Sequence, residues 1–490
     1  MICCYEGING AFRAHVVGCL NNNVNLKIYI YIRIKPPTKI CQSSISECRW
    51  HIRGPSLISL SSISVHMKGF VTRAENTFRR YLKAFLKTEM IRKQGYIAEE
   101  HLILTEDGYL LTLHRIPGST DSPIVLLEHG LLLSSFDYTA NGKDEALAFF
   151  LADKGYDVWM GNLRGNIYSR CHIKYLTTDN RFWNFSFHEM GIYDLPAQIK
   201  YITDMKNDDI VYVGHSMGTT TFYVMAIERP DIASKVKAMF GLAPVAFVNH
   251  IKGVTAILVP LASFFNILSQ TFTSGAVFSP ISIRHLLIQW VCTFPFIKEI
   301  CADIIFIIGG FNAPQLNYVS IPLNFYTIYD NMLLSPKRIW VEYGLRTKKY
   351  AKLRRSLLPP VAARGRYIAS DLTSKIAYFW DSNTALSESF FIGKLRYFDY
   401  GKKGNRIMYN SSEVPEYDVT KIKVPIGIFY SDNDFLATPE DARDFYKLML
   451  YKILAYKVPD PNFSHFDFVW VMNAKNVVYK KLLSVMKNYQ

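Results

Sequence analysis

The stretch Ile210-Val-Tyr-Val-Gly214-His215-Ser216-Met217-Gly218-Thr-Thr-Thr221 decides the fold. An apolar, β-branched run leads into it, Gly-x-Ser-x-Gly stands at its centre, and a helix-compatible segment from Thr219 to Glu228 leaves it, stopped by Pro230. Strand, tight turn and helix form the context that lifts a serine onto the carboxyl edge of a parallel sheet. Gly214 and Gly218 remove side chains where the turn presses strand against helix. The helix N-terminus behind Ser216 favours a developing oxyanion. Ser216 is therefore the candidate nucleophile.

Strands and helices alternate on both sides of this turn. His101–Thr105 and Tyr109–Ile116 read as a hairpin across Glu106-Asp107-Gly108, since Asp-Gly is a turn signal. A buried strand, Pro123–Glu128, runs into His129-Gly130-Leu131-Leu132. The spacing predicts a helix over Asp144–Lys154, a strand over Tyr156–Met160, a helix over Asp194–Met205 and a strand over Lys237–Leu242. After a long interruption the pattern returns with a strand at Val424–Tyr430, a helix at 439–450, a strand at 453–458 and a last helix at Asn476–Lys487. Such alternation means a mostly parallel central sheet flanked by helices, an α/β class.

The 490 residues carry a net charge of +15, with 49% hydrophobic and 14% aromatic residues. The charge is not spread evenly. Residues 1–90 have thirteen Lys/Arg against four Asp/Glu, and 331–390 have eleven against four. Excesses of +9 and +7 leave the rest of the chain at −1. A nucleic-acid partner needs a basic surface on the folded domain, so none is expected. Val254 to Phe272 lacks charge, but Pro260, Ser263, Asn266, Ser269 and Gln270 interrupt it, and no transmembrane segment is expected. No Cys-x-x-Cys pair or Cys/His cluster appears among the eight cysteines, so neither metal nor cofactor is expected. Residues 1–70 show an Asn-rich and a Ser-rich piece and no recognisable signal peptide at Met1. They are expected to be a poorly ordered extension or a mispredicted start.

A serine nucleophile needs a base to take its proton and a carboxylate to orient the base. On this kind of sheet the three follow separate strands in the order Ser, Asp, His. Ser431-Asp432-Asn433-Asp434 and Ser464-His465-Phe466-Asp467 each follow a late strand. His465 is the candidate base; spacing alone does not choose between Asp432 and Asp434. His129 and His188 precede the turn, and His215 is expected to pack within it.

The chain resembles the acid lipases, the family of gastric and lysosomal acid lipases and their insect relatives. The resemblance rests on Thr105-Glu-Asp-Gly-Tyr109, Glu128-His-Gly-Leu-Leu132, Gly155-Tyr-Asp-Val-Trp159, Gly161-Asn-Leu-Arg-Gly-Asn166, Phe185-Ser-Phe-His-Glu-Met190, Gly214-His-Ser-Met-Gly218, Leu242-Ala-Pro-Val-Ala246, Asp434-Phe-Leu-Ala-Thr-Pro439 and His465-Phe-Asp-Phe-Val-Trp470. It covers about residues 80–325 and 392–488. It implies an α/β-hydrolase fold with an inserted cap domain, acting on acyl esters of triacylglycerols or sterols at a lipid–water interface. It puts the acid on Asp434, the base on His465, the oxyanion donors on the backbone amides of Leu131 and Met217, and a cap disulfide on Cys292 and Cys301. Met217 stands where the family usually has Gln, and the donor there is the backbone. The implied domains are a core over 71–244 and 392–490 and a cap over 245–391, with a basic insertion at 331–390 in place of the family's usual residues. The implied location is secreted or lysosomal, and the sequons at Asn184, Asn410 and Asn462 agree with secretion. The resemblance leaves the oligomeric state open. The alternatives are a catalytically silent lipid-binding relative and an esterase for small soluble esters.

Overall fold

The computed structural model describes residues 2–6, 12–20, 26–34, 88–177, 179–253, 256, 309–310 and 395–490. Cys292, Cys301, the insertion at 331–390 and nearly all of the expected cap lie outside the described residues. The chain divides into two compact units, 1–75 and 76–490.

Within the first unit, β1 (Ile2–Glu6), β2 (Phe12–Leu20) and β3 (Leu26–Ile34) form an antiparallel sheet in that order. The sequence reading assigns no strand to this segment; the structure has three. β2 and β3 pair over nine residues without a slip. The run Ile28-Tyr-Ile-Tyr-Ile32 accounts for it, because aromatic and β-branched residues favour a pleated backbone.

The second unit is built on eight strands in the order β11-β10-β9-β8-β6-β7-β5-β4. These are β4 (Glu99–Leu104), β5 (Leu110–Ile116), β6 (Ile124–Glu128), β7 (Asp157–Met160), β8 (Ile210–His215), β9 (Val236–Leu242), β10 (Ile426–Tyr430) and β11 (Lys452–Lys457). The hairpin β4–β5 and the pair β5–β7 are antiparallel; every pairing from β7 across to β11 is parallel. Side chains alternate between the faces of a strand. Val125, Leu127, Val211 and Val213 accordingly enter one hydrophobic cluster, and Ile124, Leu126, Ile210 and Tyr212 enter the other. Both faces are covered, which is why these strands read as continuous apolar runs.

The helices α1 (Leu147–Ala152), α2 (Leu195–Lys206), α3 (Met217–Glu228), α5 (Pro439–Leu448) and α6 (Lys480–Met486) flank the sheet, and α4 (Gly401–Tyr409) precedes β10 with only Asn405 buried. α1 is shorter than its periodicity predicts, and the final helix opens with a wide turn over Lys475–Tyr479 before α6. α4 has no counterpart in the sequence reading, and Gly401 and Gly404 weaken its helix signal. The eight strands fall within residues 99–242 and 426–457, so a long segment is inserted between β9 and β10.

Candidate active site

Strand register brings the first parts of the site together. Glu128 at the end of β6 pairs with Gly214 of β8, and His215 pairs with Leu242 of β9. The loops that leave β6 and β8 therefore start side by side. Ser216 follows β8 directly and adopts φ 52° and ψ −120° before α3 begins at Met217. Positive φ is strained for a residue with a Cβ and persists where the surroundings hold it. Here the Ser216 N–H donates to the Leu242 carbonyl at 3.0 Å. The flanking glycines are needed for space. A Cβ at Gly214 would lie 2.9 Å from the Gly218 backbone, and one at Gly218 would lie 2.4 Å from the Glu128 carbonyl oxygen.

The late strands deliver the other two groups. Asp434 follows β10 and His465 follows β11, and both are buried. His465 Nε2 lies 2.8 Å from Ser216 Oγ, and His465 Nδ1 lies 2.9 and 3.0 Å from the Asp434 carboxylate oxygens. Asp434 Oδ1 also accepts from the N–H groups of Leu436 at 2.9 Å and Ala437 at 2.7 Å, which fixes the carboxylate. Asp432 points elsewhere: it pairs with Lys457 Nζ at 2.6 Å, half exposed. Geometry thus separates the two aspartates that spacing leaves tied.

Leu131 follows Gly130, a neighbour of Ser216, and Met217 follows Ser216 directly. Gly130 packs so closely on Ser216 that a Cβ on it would lie 2.9 Å from the serine Cβ. Met217 opens α3, and the first N–H groups of a helix have no partner inside it. Neither N–H has a hydrogen-bond partner among the described residues. The Met217 side chain is buried in a hydrophobic cluster.

Behind the β6 loop lies a polar network. His129 donates from Nδ1 to the Gly130 carbonyl at 2.8 Å, while its Nε2 accepts from the Leu163 N–H at 3.1 Å and Asn166 Nδ2 at 3.0 Å. Burial lowers its pKa to about 4, so it stays neutral and keeps this tautomer. His215 is also buried, with a pKa lowered to about 3, and its Nε2 donates to the His465 carbonyl at 2.9 Å. His188 Nδ1 lies 2.7 Å from the Tyr417 hydroxyl. Of these histidines, only His465 offers a ring nitrogen to Ser216 among the described residues. Glu128 is buried in full, and desolvation pushes its carboxyl well above the ordinary range. Arg164 Nε donates to Asp194 at 2.8 Å and its Nη2 to Asp107 at 2.9 Å, which ties the 161–166 loop to the start of the sheet.

One contributor carries no side-chain signal. The Gly309 carbonyl, from the segment inserted between β9 and β10, accepts the N–H of His465 at 3.1 Å and of Phe435 at 3.4 Å. Gly310 has φ +112°, and a Cβ there would lie 2.0 Å from the Asn433 carbonyl oxygen. Sequence reasoning misses this clasp because any residue supplies a carbonyl.

Comparison with known proteins agrees with this architecture. Residues 87–142 match the partial α/β-hydrolase lipase region, and residues 123–295 match the α/β hydrolase fold. Lipase 3 of Drosophila melanogaster is 32% identical over 82% of this chain and 93% of its own length. The lysosomal acid lipase/cholesteryl ester hydrolase of Macaca fascicularis is 31% identical over 82% of this chain and 91% of its own, and the gastric triacylglycerol lipase of Rattus norvegicus 33% over 81% and 91%. With identity at this level across nearly the whole of each relative, and with the sheet order described above, the chain belongs to the acid lipase family of α/β-hydrolases.

Proposed function

We propose that the protein is a serine lipase that cleaves acyl esters of triacylglycerols or sterols through an acyl-enzyme. The observation that carries this reading is the continuous chain Asp434–His465–Ser216, with bonds of 2.9 and 2.8 Å, next to the Leu131 and Met217 N–H groups, which have no partner among the described residues. His465 takes the Ser216 proton as Oγ attacks the ester carbonyl carbon, and the carbonyl oxygen becomes an oxyanion. The N–H groups of Leu131 and Met217 bind that oxyanion. Asp434 holds Nδ1–H and stabilises the imidazolium. The tetrahedral intermediate collapses, His465 gives its proton to the leaving alcohol oxygen, and Ser216 is left acylated. Water then repeats the sequence, its proton passing to His465 and back to Oγ as the fatty acid leaves.

The inserted residues 245–391 form the cap in this reading, and 71–244 with 392–490 form the catalytic core. Residues 1–70 stand outside that body, which agrees with the division of the chain near Glu75. Cys292 and Cys301 form the cap disulfide. The protein is secreted or lysosomal; Asn184, Asn410 and Asn462 are all exposed, as glycan acceptors must be.

The full chain, assayed on emulsified triacylglycerol and on a cholesteryl ester, should lose turnover by a factor on the order of 10⁶ in Ser216→Ala. That variant should also fail to bind a serine-directed phosphonate covalently. Wild-type turnover in Ser216→Ala would remove the assignment. A wild-type chain that binds phosphonate yet hydrolyses neither ester would remove the substrate class alone.

A further inference from the structure

We infer that His215 is a positioning residue for the base, tying the strand that carries the nucleophile to the main chain of the loop that carries His465. The inference rests on the roles proposed above for Ser216 and His465. His215 is the last residue of β8 and lies beside Ser216 in the chain, so its backbone moves with the turn. Its Nε2–H reaches across to the His465 carbonyl oxygen at 2.9 Å, a link between residues 250 apart in sequence. The two rings are neighbours, with centroids 5.1 Å apart and planes tilted by 45°.

His465 is gripped at three points. Its carbonyl is held by His215, its N–H by the Gly309 carbonyl at 3.1 Å, and its Nδ1 by Asp434. Together these fix where Nε2 lands relative to Ser216 Oγ. Asp434 controls only the ring's rotation, so the position of the His465 backbone must come from the other two. Of those, only His215 belongs to the element that carries the serine. A shift of the 463–466 loop away from the turn therefore stretches the His215 bond before it stretches any bond to Asp434.

Packing alone does not call for an imidazole at this position. His215 is completely buried, and its Nδ1 has no hydrogen-bond partner among the described residues. That nitrogen faces Gly130, whose Cβ would lie 3.1 Å from it. A buried polar atom without a partner costs stability, and a phenylalanine would fill the same space without one. The group that imidazole adds over phenyl is the Nε2 donor. Glutamine can supply the same donor, because its amide nitrogen stands as many bonds from Cα as Nε2 of histidine does.

The test uses the full chain as wild type, His215→Phe and His215→Gln, with Ser216→Ala alongside. kcat and KM are measured on a soluble p-nitrophenyl ester, together with the rate of inactivation by a serine-directed phosphonate and the melting temperature. His215→Phe should lose kcat by about 100-fold, the penalty of misplacing a reacting group by roughly an ångström, with KM unchanged. Phosphonate inactivation should slow by a similar factor, and His215→Gln should recover most of both. A folded His215→Phe within twofold of wild type would overturn the inference. So would a folded His215→Gln as slow as His215→Phe. If His215→Phe fails to fold, the Gln variant decides alone: near-wild-type kcat supports the donor role, and slow turnover by folded protein refutes it. Hydrolysis surviving in Ser216→Ala is a separate result, since it removes the parent assignment whatever the His215 variants do.

Discussion

The two sides of Ser216 are built in opposite ways. On the β6 side, the loop at Glu128–Leu131 and the loop at Gly161–Asn166 come from adjacent strands and from one short stretch of chain. They lock through His129, Asn162 and Asn166 in a buried network, with Asn166 Nδ2 on Asn162 Oδ1 at 2.8 Å. On the β10–β11 side, the base arrives 249 residues after the serine, and its backbone is clasped by a carbonyl from the inserted segment. A site that must stabilise charge without rearranging benefits from the first construction. The second couples the acid and base to whatever the insertion does. Local sequence sets the proposed oxyanion side; long-range assembly sets the proposed proton-transfer side.

The largest effect that separates the sides should come from the aspartates. Asp434→Asn keeps the shape but puts an amide NH2 donor in place of a carboxylate oxygen that accepts from His465 Nδ1, which favours the wrong tautomer, and kcat should fall on the order of 10⁴-fold. Asp432→Asn breaks only a half-exposed pair with Lys457, worth at most about 1 kcal/mol, and should leave kcat unchanged. Steady-state kinetics on a soluble ester reads both. Comparable losses in the two variants would mean that the acid is shared between the aspartates.

A smaller effect tests whether the insertion clasps the proton-transfer side. Gly310→Ala would push a methyl group to 2.0 Å from the Asn433 carbonyl oxygen, beside Asp434, at φ +112°. Gly155→Ala is the control: φ is +85° there too, but nothing lies within 4 Å of the added carbon. Both should lose roughly 1–3 kcal/mol of stability to backbone strain. Only Gly310→Ala should also lose kcat, by about tenfold to 100-fold, as its clash moves the Asp434 loop. Chemical denaturation and kcat measured on the same samples check this. Equal kcat in the two variants would leave the acid and base loops independent of the insertion.

Much of this contrast is legible in the sequence, and the residues show why the rest is not. The turn at Ser216 is written in glycines whose absence of side chains is a steric necessity, and the strands in apolar runs that two covered faces require. His465 follows from chain order. Asp434 does not, because Asp432 sits at the same loop; the hydrogen bonds from Leu436 and Ala437 single it out, and only the fold shows them. The resemblance to a family supplies that choice in advance. His215 reads as packing, since nothing in Gly-His-Ser reveals a bond to a residue 250 positions away. Gly309 acts through a carbonyl that every residue owns. α4 is hidden by its two glycines, and the strands β2 and β3 by their position in a stretch whose composition reads as extension.

The least drastic variant probes the oxyanion side through pH. Glu128 lies at the end of β6, completely buried; the His129 N–H reaches its Oε1 at 3.3 Å, while Oε2 has no partner among the described residues. Gly161 makes room for it, since a Cβ there would lie 2.1 Å from Oε2. Desolvation, reinforced by the Asp194 charge, raises its pKa well above the ordinary carboxyl range and outweighs the opposing hydrogen bond from the His129 N–H. The folded state therefore keeps this proton to higher pH than the unfolded chain does. In the unfolded chain the same carboxyl ionises near its ordinary value. Below that value both states hold the proton and Glu128 contributes no pH dependence. Above it the unfolded state releases a proton that the folded state keeps, so stability falls as pH rises, by up to about 1.4 kcal/mol per pH unit. Glu128→Gln has the same shape and cannot ionise. Urea midpoints taken at half-unit steps from pH 4 to 7 should show wild type losing stability faster than the variant above about pH 4.5, with the two nearest at the acid end. Turnover at pH 4 should be alike in both, because Glu128 holds the loop from behind and touches no reacting atom. Parallel stability curves would mean that Glu128 ionises as readily folded as unfolded. The oxyanion side would then be wetter than its geometry indicates, and the contrast between the two halves of the site would narrow.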